Sequence, residues 1–157
     1  MKRGAGLNLI LLLVAVLLGL LVWYARSPQT IALTALDPAG IQRIEISGLK
    51  GRHIQLRRVE GLWLTHGENA RQERVAQLLG ICRTPSLERF AATGDLRPYG
   101  LDPPPIRLRL DGETLDFGTT DPLHGWRYVR YRQRIHLIAD GFYHHLSAAP
   151  EAWRETL

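Results

Sequence analysis

The sequence predicts an α+β domain with a mostly antiparallel β-sheet, preceded by an N-terminal transmembrane helix. Three observations carry this class. The chain begins with a long apolar run, apolar residues then alternate with polar ones in two separate stretches, and each stretch is followed by a segment with helical spacing. Alternation with a period of two indicates half-buried strands. The expected domain is therefore two β-meanders, each followed by a helix.

The apolar run extends from Leu7 to Ala25, interrupted only by Asn8. Its length is close to the roughly 20 residues that a helix needs to cross a bilayer. Bulky Trp23 and Tyr24 stand where a signal peptidase requires small side chains, which favours a retained anchor over a cleaved signal peptide.

Basic residues at the N-terminus place that end in the cytoplasm by the positive-inside rule. We expect 1–26 to form a cytoplasmic tip and a membrane anchor, and 27–157 to form an extracytoplasmic domain. The predicted location is the bacterial inner (cytoplasmic) membrane, with one span and a periplasmic domain.

The formal net charge of +5 does not indicate nucleic-acid binding. Lys2, Arg3 and Arg26 supply three of these charges, so the domain itself is close to neutral. A near-neutral exported domain lacks the basic surface that binding to a phosphate backbone requires. No nucleic-acid partner is expected.

The first meander is predicted from alternating isoleucines and leucines. A weak strand opens at 31–33, and further strands are centred on Ile44, Ile54 and Trp63. Glu60-Gly61 has the composition of a hairpin turn.

The period then changes to that of a helix. Asn69-Ala70-Arg71-Gln72 has the form of a capping box and predicts a helix over 70–83, ending before Pro85. Cys82 lies on its apolar face, which favours a buried packing thiol. Because it is the only cysteine, no intrachain disulfide is expected.

The second meander follows a connection over 85–95, in which Leu87 and Phe90 are the expected core anchors. Strands are predicted at 106–110, 115–117, 126–132 and 135–139, with a hairpin turn at Asp111-Gly112. Asp140 is expected to cap a short helix over 141–146, and a terminal helical segment follows Pro150.

No motif for catalysis is present. The six histidines do not have the spacing of a zinc site, and no serine or cysteine has the sequence context of a nucleophile. His136 and His144 remain a pair that folding could bring together. No enzyme activity, metal or cofactor is predicted.

Two segments are candidates for interaction. The proline-rich stretch RPYGLDPPP (97–105) is interpreted mainly as a rigid corner and alternatively as a docking surface; its candidate residues are Tyr99, Gly100, Leu101, Asp102, Pro103 and Pro104. The hairpin over 126–139 carries Arg127, Tyr128, Arg130 and Arg132, which are suited to an anionic ligand but also to a solvated strand face.

The motifs YGLDPP, IRLRLDGETLDFG and GWRYVRY resemble the bacterial family known as domain of unknown function 4340. The resemblance covers roughly Ile41 to Leu146. It implies an N-terminal anchor and transfers no catalytic residue. Because some members of that family are associated with ABC-type export or gliding-motility components, it also implies protein partners in the inner membrane or envelope, ABC-type transport components among them.

The sequence therefore predicts a non-enzymatic, membrane-anchored extracytoplasmic binding or scaffolding module, an accessory subunit of a transport or envelope complex. Two alternatives stay open. One is an envelope hydrolase or metal-dependent enzyme with an unrecognised site, and the other is a binder of anionic lipid or glycan through the arginine-tyrosine hairpin.

Overall fold

The computed structural model describes residues 3–26, 31–48 and 51–155. The chain divides into two compact units, Met1–Thr30 and Ile31–Leu157. The first contains helix α1 (Arg3–Arg26), whose residues from Ile10 to Val22 expose apolar side chains. In the part of the chain that the structure describes, no helix combines the length and the apolar character needed to cross a membrane.

The second unit is built around a nine-stranded antiparallel sheet, which confirms the α+β class. The chain orders its elements as β1 (Ile31–Ala32), β2 (Arg43–Gly48), β3 (Arg52–Val59), β4 (Leu62–Thr65), β5 (Glu68–Asn69), α2 (Gln72–Leu79), β6 (Pro85–Ser86), β7 (Glu88–Ala91), β8 (Ile106–Leu110), β9 (Glu113–Thr120), β10 (Arg127–Tyr131), β11 (Arg134–Ile138) and α3 (Tyr143–Leu146). The order across the large sheet is β5-β4-β3-β2-β8-β9-β10-β11-β7, and β1 pairs separately with β6.

The two predicted meanders are present, except that β1, the predicted opening strand of the first, lies outside the large sheet; they meet through β2 and β8. Strand β2 pairs antiparallel with β8, with Ile44 opposite Leu110 and Ile46 opposite Leu108. The first meander extends from this junction toward β5 and the second toward β11 and β7. The junction thus joins two local hairpin systems into one continuous sheet.

One face of the sheet, here called the core face, carries the hydrophobic core. Strand alternation directs Ile44, Ile54, Leu108, Leu115 and Val129 to this side, where each is almost fully buried. Helix α2 contributes Val75, Leu78 and Leu79, and the C-terminal segment contributes Trp153. The opposite side, here called the outer face, carries the polar positions of the same strands.

The predicted helix over 70–83 is shorter than expected. Helix α2 begins at Gln72, and a 3-10 turn over Gly80–Arg83 replaces its predicted end. The capping box is also wrong, because Ala70 is held as extended backbone by a bridge to Arg154 and by donation from its N–H to the Trp63 carbonyl. The Gln72 side chain bonds to the backbone of Trp63 rather than turning back as a cap.

Cys82 lies in that 3-10 turn and is buried in the core, as predicted. Burial raises the pKa of its thiol, and the hydrogen bond with Thr34 only partly opposes this. A thiol with a raised pKa holds little thiolate at neutral pH and is a weak nucleophile. The residue therefore serves packing.

Two other predicted details differ from the structure. Leu87 is not a core anchor, because its side chain is 42% exposed between β6 and β7. Asp140 does not cap α3; its carboxylate instead accepts from Arg127, and the helix is preceded by a 3-10 turn over Asp140–Phe142. The terminal segment is a 3-10 turn over Pro150–Trp153.

Both predicted hairpin turns are confirmed. Glu60 and Gly61 have φ values of 50° and 86°, the pair of positive φ angles that connects two twisted strands in two residues. Asp111 also has a positive φ, and its carboxylate accepts from the backbone N–H groups of Gln42 and Arg43. This contact ties the turn between β8 and β9 to the start of β2.

Candidate functional site

The proline-rich segment 97–105, here called the corner segment, lies against the outer face at β9. It starts as a 3-10 turn over Arg97–Tyr99, and Gly100 follows with a left-handed φ of 65°. The Tyr99 carbonyl approaches so closely that a Cβ on Gly118 would lie 2.1 Å from its oxygen. Glycine at 118 is therefore the condition for the contact.

The corner segment closes a second, smaller apolar cluster on the outer face. Leu101, Ile135 and Leu137 are buried there, outside the main core. The Tyr99 ring lies between Phe90 and Tyr128, with ring centroids 5.5 Å and 5.0 Å away. Five of the predicted interaction residues thus have internal roles: Tyr99, Gly100, Leu101, Tyr128 and, as shown next, Arg127.

Arg127 is a buried structural cation. Its guanidinium pairs with both carboxylate oxygens of Asp140 and donates to the Gly118 carbonyl. It also lies over the Tyr143 ring, 3.7 Å from the centroid. These contacts link the second meander to the segment before α3.

Two further arginines of the hairpin, Arg130 and Arg132, are also paired within the chain. Arg130 donates to Asp116, which is buried, and Arg132 forms a bidentate pair with Glu113. The hydrogen bond from Arg132 lowers the pKa of the Glu113 carboxyl. The positive charge that the sequence offered to an external anion is therefore largely compensated internally.

Charged side chains form cross-strand rows on the outer face. In one row Asp116 is flanked by Arg107 and Arg130, and its Oδ1 lies 2.6 Å from the Arg107 Nε. In the next row Arg109 lies opposite Glu45, with 3.6 Å between Nη1 and Oε2. Both rows balance arginine with a carboxylate on a neighbouring strand.

The row at the first meander is different. Arg43 and Arg57 are directly opposite each other on β2 and β3, and both are exposed. Among the described residues, no carboxylate lies within 4 Å of either guanidinium. The Asp111 carboxylate is close in the fold but accepts from backbone N–H groups. We call Arg43 and Arg57 the arginine pair.

Depressions lie on both sides of the arginine pair. One, of about 420 Å³, extends over β3 and β4 and includes Leu64 and His66. The other, of about 450 Å³, includes Arg58 and Asp111. The pair therefore lies between two open depressions on the outer face.

Sequence analysis missed this pair, although the signal was present. The pairing of Gly48 with Arg52 sets the register, and counting outward from these two residues places Arg43 opposite Arg57. Both residues also occupy polar positions of the alternating pattern. What the sequence lacks is the position of the acidic residues on the adjacent strands, which come from a distant part of the chain.

The remaining predicted residues stand apart from this site. Asp102 and Pro103 are exposed, Pro104 is half-buried, and the Asp102–Pro103 peptide bond is cis. They belong to the corner segment, whose last residue, Pro105, packs against Gly48 at the end of β2 opposite to Arg43.

The described side chains do not assemble a catalytic or metal-binding group. Within the described ranges, no cluster of three histidine, cysteine or acidic side chains is placed to hold an ion, and His136 and His144 belong to no such cluster. His136 Nδ1 lies 2.9 Å from the Ser86 hydroxyl, which donates to the Glu88 carbonyl.

Comparison of the chain with family models, curated proteins and solved structures finds no match. The resemblance suggested by the YGLDPP motif therefore stays a prediction.

Proposed function

We propose that this chain is a non-enzymatic binding module, anchored in the bacterial inner membrane with its domain on the extracytoplasmic side, and that its arginine pair binds an acidic segment of a protein partner in an envelope complex. The observation that carries the proposal is the uncompensated charge of Arg43 and Arg57.

Charge complementarity defines the partner's chemistry. Like charges directly opposite each other on neighbouring strands destabilise a sheet, so the pair is retained against a local cost. A carboxylate from a partner relieves that repulsion, and arginine binds carboxylates through two parallel hydrogen bonds. On the outer face, Glu45 pairs with Arg109, and Asp116 pairs with Arg107 and Arg130, so neither acid is left for Arg43 and Arg57.

Other features also support binding over catalysis. Arg127, Arg130 and Arg132 of the hairpin are paired with acids and hold the sheet together rather than facing a substrate. A flat, charged sheet surface with shallow hollows suits a protein partner better than a small substrate, which requires a deep apolar pocket.

The anchor is proposed from the apolar run Leu7–Ala25, which coincides with α1. Alkaline carbonate extraction of membranes that contain the full chain tests it, with expected retention in the pellet. External protease is expected to digest the domain in spheroplasts and to spare it in intact cells. Release by carbonate would overturn the anchor without bearing on the arginine pair.

The partner is tested by crosslinking the full chain in its native membrane and identifying stoichiometric companions. Replacing both Arg43 and Arg57 by Gln is expected to remove the crosslinked companion. The matched control replaces Arg89 and Arg134 by Gln, which removes the same charge from two other exposed arginines. The control is expected to keep the companion.

Two results would contradict the proposal. A monodisperse chain without any companion in mild detergent excludes an accessory subunit. Equal loss of crosslinks in both double variants shows a general charge effect, as binding to an anionic lipid surface would produce. Partners of the ABC-transport type, implied only by the family resemblance, would be recognised among the crosslinked proteins.

A further inference from the structure

The outer face of the β3–β4 hairpin carries apolar side chains beside the arginine pair. Val59 and Leu62 are 43% and 51% exposed, and Leu64 is half-buried. The strand register places Val59 opposite Leu62 and Leu64 opposite Arg57, so these side chains and the arginine pair share one face of the sheet. None of the three apolar residues belongs to the main hydrophobic core. We call Val59, Leu62 and Leu64 the apolar patch.

The apolar patch is continuous with the arginine pair. The depression of about 420 Å³ is lined by Arg43 and Arg57 and also by Val59 and Leu64. Leu64 lies directly across from Arg57, an arrangement in which the two Cβ atoms are about 5 Å apart. Val59 follows Arg57 by two positions on β3, which separates the two residues by about 7 Å. Cations and apolar side chains therefore offer a ligand one combined surface.

An acidic residue, Glu45, also lines this depression, but its carboxylate is directed away from the apolar patch. Its Oε2 lies 3.6 Å from the Nη1 of Arg109 on β8, and β8 flanks β2 on the side opposite to β3. Glu45 is paired in register with Gln55, so the row of the arginine pair separates it from Val59. A carboxylate bound between the arginine pair and the apolar patch therefore approaches from the side away from Glu45.

We infer, on the basis of the proposed function of Arg43 and Arg57, that the acidic segment of the partner is extended and carries a large aliphatic side chain two positions from its acid. In an extended chain, residues two positions apart point to the same side and lie about 7 Å apart. The same interval separates Arg57 from Val59 along β3. The acid then contacts the arginine pair while the aliphatic side chain covers the apolar patch, which removes exposed apolar surface from water.

The form of the surface favours a peptide over a lipid anion. The depression is shallow, and the apolar patch occupies two short rows, Leu64 in one and Val59 with Leu62 in the next. Burial of an acyl chain requires a longer, enclosed cavity, whereas a single aliphatic side chain is covered by three apolar neighbours. The structure therefore fits one acid and one aliphatic residue of a protein partner.

Four dye-labelled heptapeptides with a serine and threonine background test the inference on the unaltered chain. The first carries glutamate and leucine two positions apart, the second carries them three positions apart, the third carries glutamate with alanine, and the fourth carries glutamine with leucine. Binding is measured by fluorescence anisotropy with the full chain in nanodiscs of zwitterionic lipid, and empty nanodiscs give the blank. We expect the first peptide to bind about tenfold more tightly than the second and third, because only its leucine covers the apolar patch. The fourth is expected not to bind.

Two double variants localise the two halves of the contact. Val59→Thr with Leu62→Thr keeps a residue that favours strands at both positions and is expected to lower the affinity of the first peptide to that of the glutamate–alanine peptide. Arg43→Gln with Arg57→Gln is expected to abolish binding of both peptides. The control is Leu123→Thr, which removes a side chain that is 84% exposed between β9 and β10. It is expected to leave all affinities unchanged.

Failure of this inference and failure of the proposed function give different results. Glutamate-dependent binding that is equal for the leucine and alanine peptides, or equal for the two spacings, would overturn the inference alone. Equal binding of the glutamine and glutamate peptides, or no binding by any peptide, would contradict both. Hexanoate is the competitor that represents a lipid anion. If it displaces the first peptide at a lower concentration than the unlabelled peptide does, the surface belongs to a lipid and the inference is overturned.

Discussion

The two ends of the outer face have the same alternating strand pattern, but one end is covered by another segment and the other is open to solvent. At the second meander, the corner segment covers the sheet and creates an apolar cluster around Leu101. At the first meander, the corresponding surface is open and carries Arg43 and Arg57. Alternation of apolar and polar residues thus defines a core face, but it does not determine whether the second face is covered or exposed to solvent.

Whether an end of the outer face is covered depends on one small residue, Gly118, and on the charged side chains that the strands present. Gly118 allows the corner segment to contact β9, and Arg127 then fixes the Gly118 carbonyl from the neighbouring strand. On the open end no glycine of this kind exists among the outward positions of β2 and β3, and Arg43, Glu45 and Arg57 there carry charges. A segment cannot pack closely over such a surface without leaving charges buried and unpaired.

The largest expected effect comes from closing the space at Gly118. Gly118→Ala places a Cβ where the Tyr99 carbonyl and Leu101 already lie, so the corner segment must move. We expect the free energy of unfolding to fall by about 3 kcal/mol, measured by urea denaturation of the full chain in detergent. Gly141→Ala is the control, because its added Cβ meets no atom within 4 Å. Equal stability of the two variants would refute the contact.

A smaller loss is expected when the charged row is broken. Asp116→Ala leaves Arg107 and Arg130 facing each other without their shared carboxylate. Because both guanidinium groups are partly exposed to water, we expect a loss of about 2 kcal/mol rather than the full cost of a buried charge. Added salt should restore part of the stability by screening the two arginines. A salt-independent loss would show that the row is held by packing alone.

The pH dependence reports the buried histidines on the core side. The pKa of His136 is lowered by burial first and by Arg89 and Arg134 next, and that of His145 by burial first. Below about pH 6.5, the unfolded chain binds protons that the folded chain does not, so stability falls as the pH decreases. The melting temperature of the wild type is expected to fall as the pH is lowered from 7.5 to 5.

Replacing both histidines tests this assignment. His136→Asn keeps a side-chain donor for Ser86, and His145→Gln removes the second buried imidazole. The double variant is expected to show a flatter profile than the wild type in the same pH range. An unchanged slope would assign the pH dependence to other groups.

The smallest expected change in the free energy of unfolding concerns the arginine pair, and it is a stabilisation rather than a loss. Arg43→Gln removes one of two like charges on adjacent strands, so we expect stability to rise by a few tenths of a kcal/mol, within about 0.5 kcal/mol. Thermal melts at low salt would detect the change, and it should vanish at high salt. A destabilised variant would mean that Arg43 has a stabilising partner in the folded chain. This result would contradict the proposal that the arginine pair binds an external acidic ligand.

Local sequence signals predicted much of this fold. The two meanders, the turns at Glu60-Gly61 and Asp111-Gly112 and the buried Cys82 follow from periodicity and turn chemistry, which act over a few residues. The failed prediction at 70–83 shows the limit. Asn69 and Ala70 have the composition of a helix start, but pairing with Trp63 and Arg154 holds them extended. Tertiary pairing overrides a weak local preference.

The candidate site was less accessible to prediction. The hairpin arginines stood out as a basic cluster, yet Arg127, Arg130 and Arg132 are each paired with an acid that lies on another strand or beyond it. The arginine pair did not stand out, because two isolated arginines 14 positions apart are unremarkable until the β2–β3 register brings them together. Charge in a sequence can be counted, but its compensation depends on which strands become neighbours.

The sequence by itself determined the strand alternation, the tight turns and the predicted apolar N-terminal run, because these depend on side chains a few positions apart. Only the tertiary structure decided that β2 pairs with β8, that the corner segment covers one end of the outer face, and that the arginine pair stays uncompensated at the other. The pairing of β2 with β8 joins residues more than 50 positions apart, and the corner segment contacts a strand 19 positions further along the chain. The energy of such contacts is set by the geometry of both partners at once.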